Sequence, residues 1–161
     1  MAREHPYRAM LHWVGATAGA TRSYASYSRE YVVEIEGKPP LGGSADPLFR
    51  GQSGLHNPED LLLAAVTGCH LLSYLSLCAR EGIAVVGYSD ESSATLEEEQ
   101  GSGRVTGALL RPAVLLDPNS SDAQLARALE LHDSAREQCF IANSVNFPVE
   151  HEPTVARAQT P

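Results

Sequence analysis

Apolar and polar residues alternate most clearly along residues 31–36. Tyr31, Val33 and Ile35 fall on one face and two glutamates on the other, which predicts a strand with one buried face. Residues 8–14 show a shorter alternation of the same kind and predict a strand before it. The glycine- and proline-containing stretch that follows residue 36 is expected to be irregular or only briefly extended.

A long run without any charged side chain, Leu61–Ala79, occupies the middle of the chain. Just before it, Asn57 is suited to cap a helix and Pro58 to occupy its first position. Two acidic residues then favour the positive end of the helix dipole. The pattern predicts a helix that runs to Glu81 and ends at Gly82.

The second half of the chain alternates again. We expect a strand over Ile83–Tyr88, an acidic hairpin turn within Leu96–Gly103 and an extended segment over Val105–Leu116. Pro112 predicts an edge or a bulge in that last segment, because proline cannot donate to a sheet.

An amphipathic helix is predicted over residues 121–138, where apolar positions recur near the helical period up to Leu131 and His132. A short helical piece over Cys139–Val145 and a strand over Phe147–His151 follow. Because the strands occur in pairs rather than alternating strictly with helices, the fold class is α+β with an antiparallel sheet. We expect one domain over residues 1–161, with residues 154–161 forming a disordered tail.

Charge and composition narrow the possible partners. The net charge of −8 leaves no basic face for nucleic acid or an anionic membrane. The first ten residues lack the apolar segment of a secretory signal, and three cysteines make no disulfide framework. These observations predict a cytoplasmic protein with reduced thiols.

The uncharged run Leu61–Ala79 is long enough to cross a membrane. It contains several polar side chains, however, and no excess of basic residues flanks it. A helix that is apolar all round is also what the centre of a soluble domain requires. We therefore expect a core helix and no membrane partner.

Two cysteines lie on this helix. Cys69 and Cys78 are nine residues apart, about two and a half turns, so they face opposite ways. Both suit small core side chains, and for Cys78 that interpretation stands. His70 could assist proton transfer or form a hydrogen bond within the core, and we favour the core bond. Neighbouring helix residues point about 100° apart, so Cys69 and His70 do not predict a metal site, and no motif predicts a cofactor.

Three segments together resemble one known family. Asn57–Cys69 resembles the Asn-Pro-Glu…Leu-(small)-Ala-(small)-Cys signature of the OsmC/Ohr family. Ala135–Ser144 resembles the later Cys-Pro-(apolar)-Ser segment of that family. Ser44–Gly51, leading into the helix, is similar to a branch in which the cysteine is followed by histidine, here His70.

The resemblance implies an intertwined homodimer in which antiparallel sheets wrap around a long central helix. It also implies a thiol-dependent peroxidase that reduces organic hydroperoxides to alcohols in oxidative-stress defence. Cys69 would attack the peroxide and become a sulfenic acid. Cys139 would then form a disulfide with it, which an external dithiol reduces.

In members of this family, an arginine stabilises the reactive thiolate. The glutamate of the Asn-Pro-Glu segment holds that arginine in place. Glu59 matches that glutamate. Arg29 matches a Tyr-Ser-Arg pattern and is the preferred arginine, with Arg50 second and Arg22 also open.

Two departures leave an alternative open. Phe140 stands where the family often has proline, and His70 stands where the best-studied hydroperoxide reductases carry an aromatic residue. The alternative is a non-enzymatic module on the same fold that binds a small molecule or fatty acid, or senses redox state.

Overall fold

The computed structural model describes residues 3–159. The chain forms two compact units, one ending at residue 61 and one beginning at residue 62. The helix α1 (Pro58–Arg80) starts in the first unit and continues in the second. The interpretation of the chain as one domain over residues 1–161 stays a prediction.

The first unit contains a three-stranded antiparallel sheet in the order β1-β2-β3. Its strands are β1 (Met10–Trp13), β2 (Tyr31–Glu34) and β3 (Leu41–Gly43). The first two were expected from the alternation, and β3 is the brief extended piece within the irregular segment. Gly43 faces Tyr31 across the sheet, and an added Cβ there would come 2.3 Å from the Tyr31 ring, so any larger residue would displace that ring.

The start of α1 is confirmed in detail. Asn57 Oδ1 accepts the Asp60 N–H at 2.7 Å, and Asp60 Oδ2 accepts the Asn57 N–H at 3.2 Å. The Asn57 side chain also donates to Asp46, at 3.1 Å. These reciprocal bonds satisfy backbone groups that a helix start leaves free and fix the first turn that carries Glu59.

The predicted end of α1 is also confirmed. Gly82 adopts a left-handed φ of 69°, and the Ile83 N–H reaches back to the Cys78 carbonyl at 2.9 Å. This is the Schellman arrangement that glycine favours after a helix.

The second unit holds two three-stranded sheets, in the orders β4-β7-β9 and β5-β6-β8. Their strands are β4 (Val85–Asp90), β5 (Ser93–Glu99), β6 (Ser102–Leu110), β7 (Pro112–Leu116), β8 (Val149–His151) and β9 (Thr154–Arg157). The α+β class is confirmed. Most strand pairs are antiparallel as expected, but both sheets of this unit are mixed, because β8 pairs with β6 and β9 with β7 in parallel.

Three local expectations need correction. The extended segment Val105–Leu116 is divided between two sheets, with Pro112 as the first residue of the central strand β7, where proline is tolerated. The acidic turn is only Gln100–Gly101, both with positive φ, since the glutamates before it belong to β5. Thr154–Arg157 is strand β9 rather than disordered tail, and residues 160–161 of that tail lie outside the described residues.

Helix α2 (Asp122–Gln138) begins with a full capping box between Ser121 and Gln124. Its buried face packs with α1 and the β4-β7-β9 sheet into one core, whose fully enclosed members include Tyr74, Leu131 and Ala135. This core fixes α2 against the second half of α1.

Candidate active site

Cys69 and Cys139 meet although seventy residues separate them in sequence. Cys69 is half-buried on α1, and Cys139 is buried directly after the last residue of α2. Cys69 lines one cavity together with Gln138 and Phe140, the two chain neighbours of Cys139, and the Cys69 side chain is close enough to raise the pKa of the Cys139 thiol. Both cysteines are free, and two nearby free thiols are the starting point for a reversible disulfide.

The turn after α2 holds Cys139 in place. Its backbone is extended, and the Ala142 N–H donates to its Sγ at 3.3 Å. The Asn143 N–H donates to the Cys139 carbonyl at 3.0 Å. The predicted short helical piece is a single 3₁₀ turn over Ala142–Ser144, in which the Ser144 N–H donates to the Ile141 carbonyl at 2.9 Å. Burial, followed by the Cys69 side chain, raises the pKa of Cys139, so this thiol stays protonated at neutral pH.

A cavity of about 620 Å³ opens beside Cys69. Leu72 from α1 and Phe140 from the turn line it, and both side chains are largely exposed, at 69% and 81%. Ser73 and Glu137 add polar groups at its wall. The half-buried thiol therefore faces a space with apolar walls that is large enough for a small organic molecule.

A second cavity, of about 490 Å³, lies within the first unit and contains both Arg29 and Glu59. Its other walls are largely aromatic, from Trp13, Tyr27 and Phe49 among others. The two residues that the family resemblance implies thus line one cavity.

The backbone and two aromatic rings hold the Arg29 side chain in a fixed orientation. Its guanidinium donates to the carbonyls of Tyr24 and Tyr27, the latter at 2.6 Å. It also stacks over the Tyr27 ring at 4.1 Å and the Tyr24 ring at 4.8 Å. Arg22 and Arg50 are exposed, and Arg50 occupies a left-handed position after a 3₁₀ turn.

His70 confirms the expected core hydrogen bond. It is 2% exposed, and its Nε2 lies 3.0 Å from Nδ1 of His132, which is fully buried on α2. The rings are nearly coplanar, with 9° between their planes. His151 of β8 approaches the pair and bonds Asp133 at 3.1 Å.

His132 and His151 were not expected at the site. The sequence signal for His132 is its place on the apolar stripe of α2 next to Leu131, where a histidine must find a buried partner. His151 had no comparable signal, because its partners come from distant segments.

Cys78 is 1% exposed, and burial raises the pKa of its thiol, which agrees with a structural role. Among residues 3–159, no cluster of three histidine, cysteine or acidic side chains has the geometry to hold a metal ion.

Comparisons with known proteins agree on one family. Residues 51–154 match the family described as OsmC-like protein. An OsmC-like protein of unknown function from Vibrio cholerae is 30% identical, with a TM-score of 0.83 over 93% of this chain and 99% of its own. An organic hydroperoxide resistance protein OsmC from Legionella pneumophila shares the fold, at 18% identity and a TM-score of 0.68 over 96% of this chain and 99% of its own.

A curated relative, the uncharacterized protein YmaD of Bacillus subtilis, is 26% identical over 94 residues. That match spans 58% of this chain and 63% of the relative. The matched family segment includes Glu59, Cys69 and Cys139 and takes in most of the second unit. The chain therefore belongs to the OsmC-like family.

Proposed function

We propose that the protein is a thiol-dependent peroxidase that reduces organic hydroperoxides to alcohols. The observation that carries the proposal is that the chain brings the free thiol of Cys139 beside that of Cys69, with both neighbours of Cys139 lining the cavity at Cys69. The apolar cavity beside Cys69 supports an organic substrate, and family membership supports hydroperoxide chemistry.

The chemistry proceeds in three steps. The Cys69 thiolate attacks the terminal oxygen of the hydroperoxide, the O–O bond breaks, and the departing alkoxide takes a proton to become the alcohol. The Cys139 sulfur then attacks the Cys69 sulfenic acid, which forms the disulfide and releases the hydroxyl as water. A dithiol reduces this disulfide by exchange and is itself oxidised to a disulfide.

Arg29 and Glu59 complete the proposed machinery. We assign Arg29 to stabilising the Cys69 thiolate and the developing negative charge on the peroxide oxygens. Glu59, at the start of α1, would orient that guanidinium. Their shared cavity supports this pairing, as does the limited freedom of the Arg29 side chain.

The test uses the reduced full-length protein with cumene hydroperoxide. Without a reductant, we expect one equivalent of peroxide to be consumed per chain, with a Cys69–Cys139 disulfide identified by peptide mass. With dithiothreitol, consumption should continue over many equivalents, and protein alkylated beforehand should consume none. The same slow loss with active and alkylated protein would contradict the proposal.

Replacing Arg29 with Gln is expected to slow peroxide reduction by about a hundredfold, because a positioned cation is lost from the transition state. Arg22→Gln and Arg50→Gln serve as matched controls and should stay within about twofold of the wild-type rate. The measurement is the second-order rate constant for peroxide consumption. A larger loss in Arg50→Gln than in Arg29→Gln would transfer the role to Arg50.

A cytoplasmic homodimer belongs to the same proposal. Helix α1 is long and apolar enough to span a membrane, and only 22% of its most apolar stretch is buried within the chain. The exposed part therefore needs another partner. Because the chain has the OsmC-like fold, we expect a second copy of the chain, rather than a lipid bilayer, to bury this surface. We expect light scattering to give twice the chain mass of 17.3 kDa, and a monomer would contradict this part.

The aromatic cavity around Arg29 supports a second candidate, a ligand-binding or redox-sensing module. In that case peroxide would oxidise Cys69 no faster than it oxidises an ordinary free thiol, with or without dithiothreitol. The second-order rate constant with cumene hydroperoxide, compared with that of free cysteine, separates the two candidates.

A further inference from the structure

A buried pair of imidazoles links the two helices that carry the reactive cysteines. His70 on α1 and His132 on α2 share a hydrogen bond of 3.0 Å between Nε2 and Nδ1, with exposures of 2% and 0%. One neutral ring donates its N–H, and the other accepts with its unprotonated nitrogen. The bond is a direct polar connection between α1 and α2.

The position of this bond relative to the thiols is specific. His70 directly follows Cys69 on α1, and His132 precedes Cys139 by seven residues. Seven residues correspond to about 10 Å along a helix axis. Two neighbouring residues of α1 thus hold α2 at two separate points, so the imidazole bond restrains the tilt of α2 and the position of Cys139.

Burying this pair also costs free energy of folding, which apolar side chains of similar size would not cost. His132 Nε2 is buried and has no hydrogen-bond partner. The Tyr74 ring covers the imidazole, with centroids 3.9 Å apart, so this nitrogen is closed off from solvent. Apolar residues at both positions 70 and 132 would fill the space without burying an unpaired polar atom. The polar pair is therefore better explained by the alignment it imposes than by stability.

We propose that the His70–His132 bond is a positioning element that holds Cys139 against Cys69 and so favours their disulfide. The inference rests on the Cys69–Cys139 couple of the proposed function but not on peroxide, because any oxidant that joins the two thiols uses the same geometry. Loss of the bond gives α2 more freedom, which lowers the effective concentration of one thiol at the other.

The experiment equilibrates the full-length protein with mixtures of reduced and oxidised glutathione at pH 7. After alkylation, the Cys69–Cys139 disulfide is quantified by peptide mass. His132→Leu is expected to lower the equilibrium constant for this disulfide about tenfold, which makes the reduction potential about 30 mV less negative. His132→Asn keeps a polar atom near the place of Nδ1 and should remain within about twofold of wild type.

Val114→Ala is the matched control, because it loosens the same core from β7 without touching the imidazoles. An equal shift in Val114→Ala, or no shift in His132→Leu, overturns the positioning role. If His132→Leu does not fold, His70→Leu and His70→Gln give the same comparison from α1. A wild-type protein that forms no Cys69–Cys139 disulfide in glutathione refutes the couple itself, which is a different result from an unchanged variant.

Discussion

Replacing Cys69 with Ser is expected to lower the rate of hydroperoxide reduction by at least about a thousandfold, because a serine hydroxyl is not ionised at neutral pH and forms no sulfenic acid. Cys139→Ser should behave differently. Without a reductant it should consume one equivalent of peroxide per chain, as the wild type does, but Cys69 then remains a sulfenic acid because its partner thiol is missing. The product on Cys69 separates the two steps, since peptide mass should find the Cys69–Cys139 disulfide in the wild type and none in the variant.

A dimedone-type probe reports the sulfenic acid directly. It should label Cys139→Ser after peroxide and leave Cys69→Ser unlabelled. Cys78→Ala is the control for loss of a thiol, since Cys78 is buried in the core, and it should keep the wild-type rate. Substantial turnover by Cys69→Ser would remove this cysteine from the mechanism.

The start and end of α1 could be predicted because their signals are local. Asn57 and Asp60 cap each other's backbone N–H groups, and Gly82 ends the helix through its own positive φ. Such devices act within a few residues, so a single sequence contains all the information they need.

The pairing of the last strands could not be predicted in this way. β8 and β9 lie parallel to β6 and β7, and each pairing joins segments about forty residues apart. Only tertiary contacts decide whether Thr154–Arg157 adds a strand to a sheet or remains a free tail. Short strands such as these carry too weak a pattern to compete with the expectation of disorder near a terminus.

In the candidate site too, local features could be predicted from the sequence and contacts between distant segments could not. The spacing of Cys69 and Cys78 predicts that the two thiols face opposite ways on one helix, because helix geometry alone determines it, and the structure leaves Cys69 half-buried and Cys78 buried. The pairing of Cys69 with Cys139 follows from the family resemblance and not from spacing. The partner of His70, His132, could not be predicted. A histidine on the apolar face of a helix indicates that its ring needs a buried hydrogen-bond partner, but the sequence does not indicate which residue supplies it.

Acidification is expected to destabilise the protein from near pH 6.5 downward. Burial above all lowers the pKa of His70 to about 4 and that of His132 to about 3. Repulsion from neighbouring imidazoles lowers both pKa values further, from His151 at His70 and from His70 and then His151 at His132, and Asp90 partly offsets this at His70. An unfolded histidine titrates near 6.5, so below that pH the unfolded chain binds more protons. The stabilisation that comes from the two neutral imidazoles is complete above pH 6.5. It is lost as the pH falls toward the pKa values that His70 and His132 have in the folded protein.

Each neutral imidazole should account for about 2 kcal/mol of the stability lost between pH 7.5 and pH 5. Urea unfolding at the two pH values measures that loss. His132→Asn removes one titrating group and should reduce the loss by about this amount, whereas His56→Gln, which changes an exposed histidine, should not alter it. Tyr74 does not confound the comparison, because burial raises its pKa and keeps it neutral throughout. An equal loss in wild type and His132→Asn would show that His132 is not held neutral by the fold.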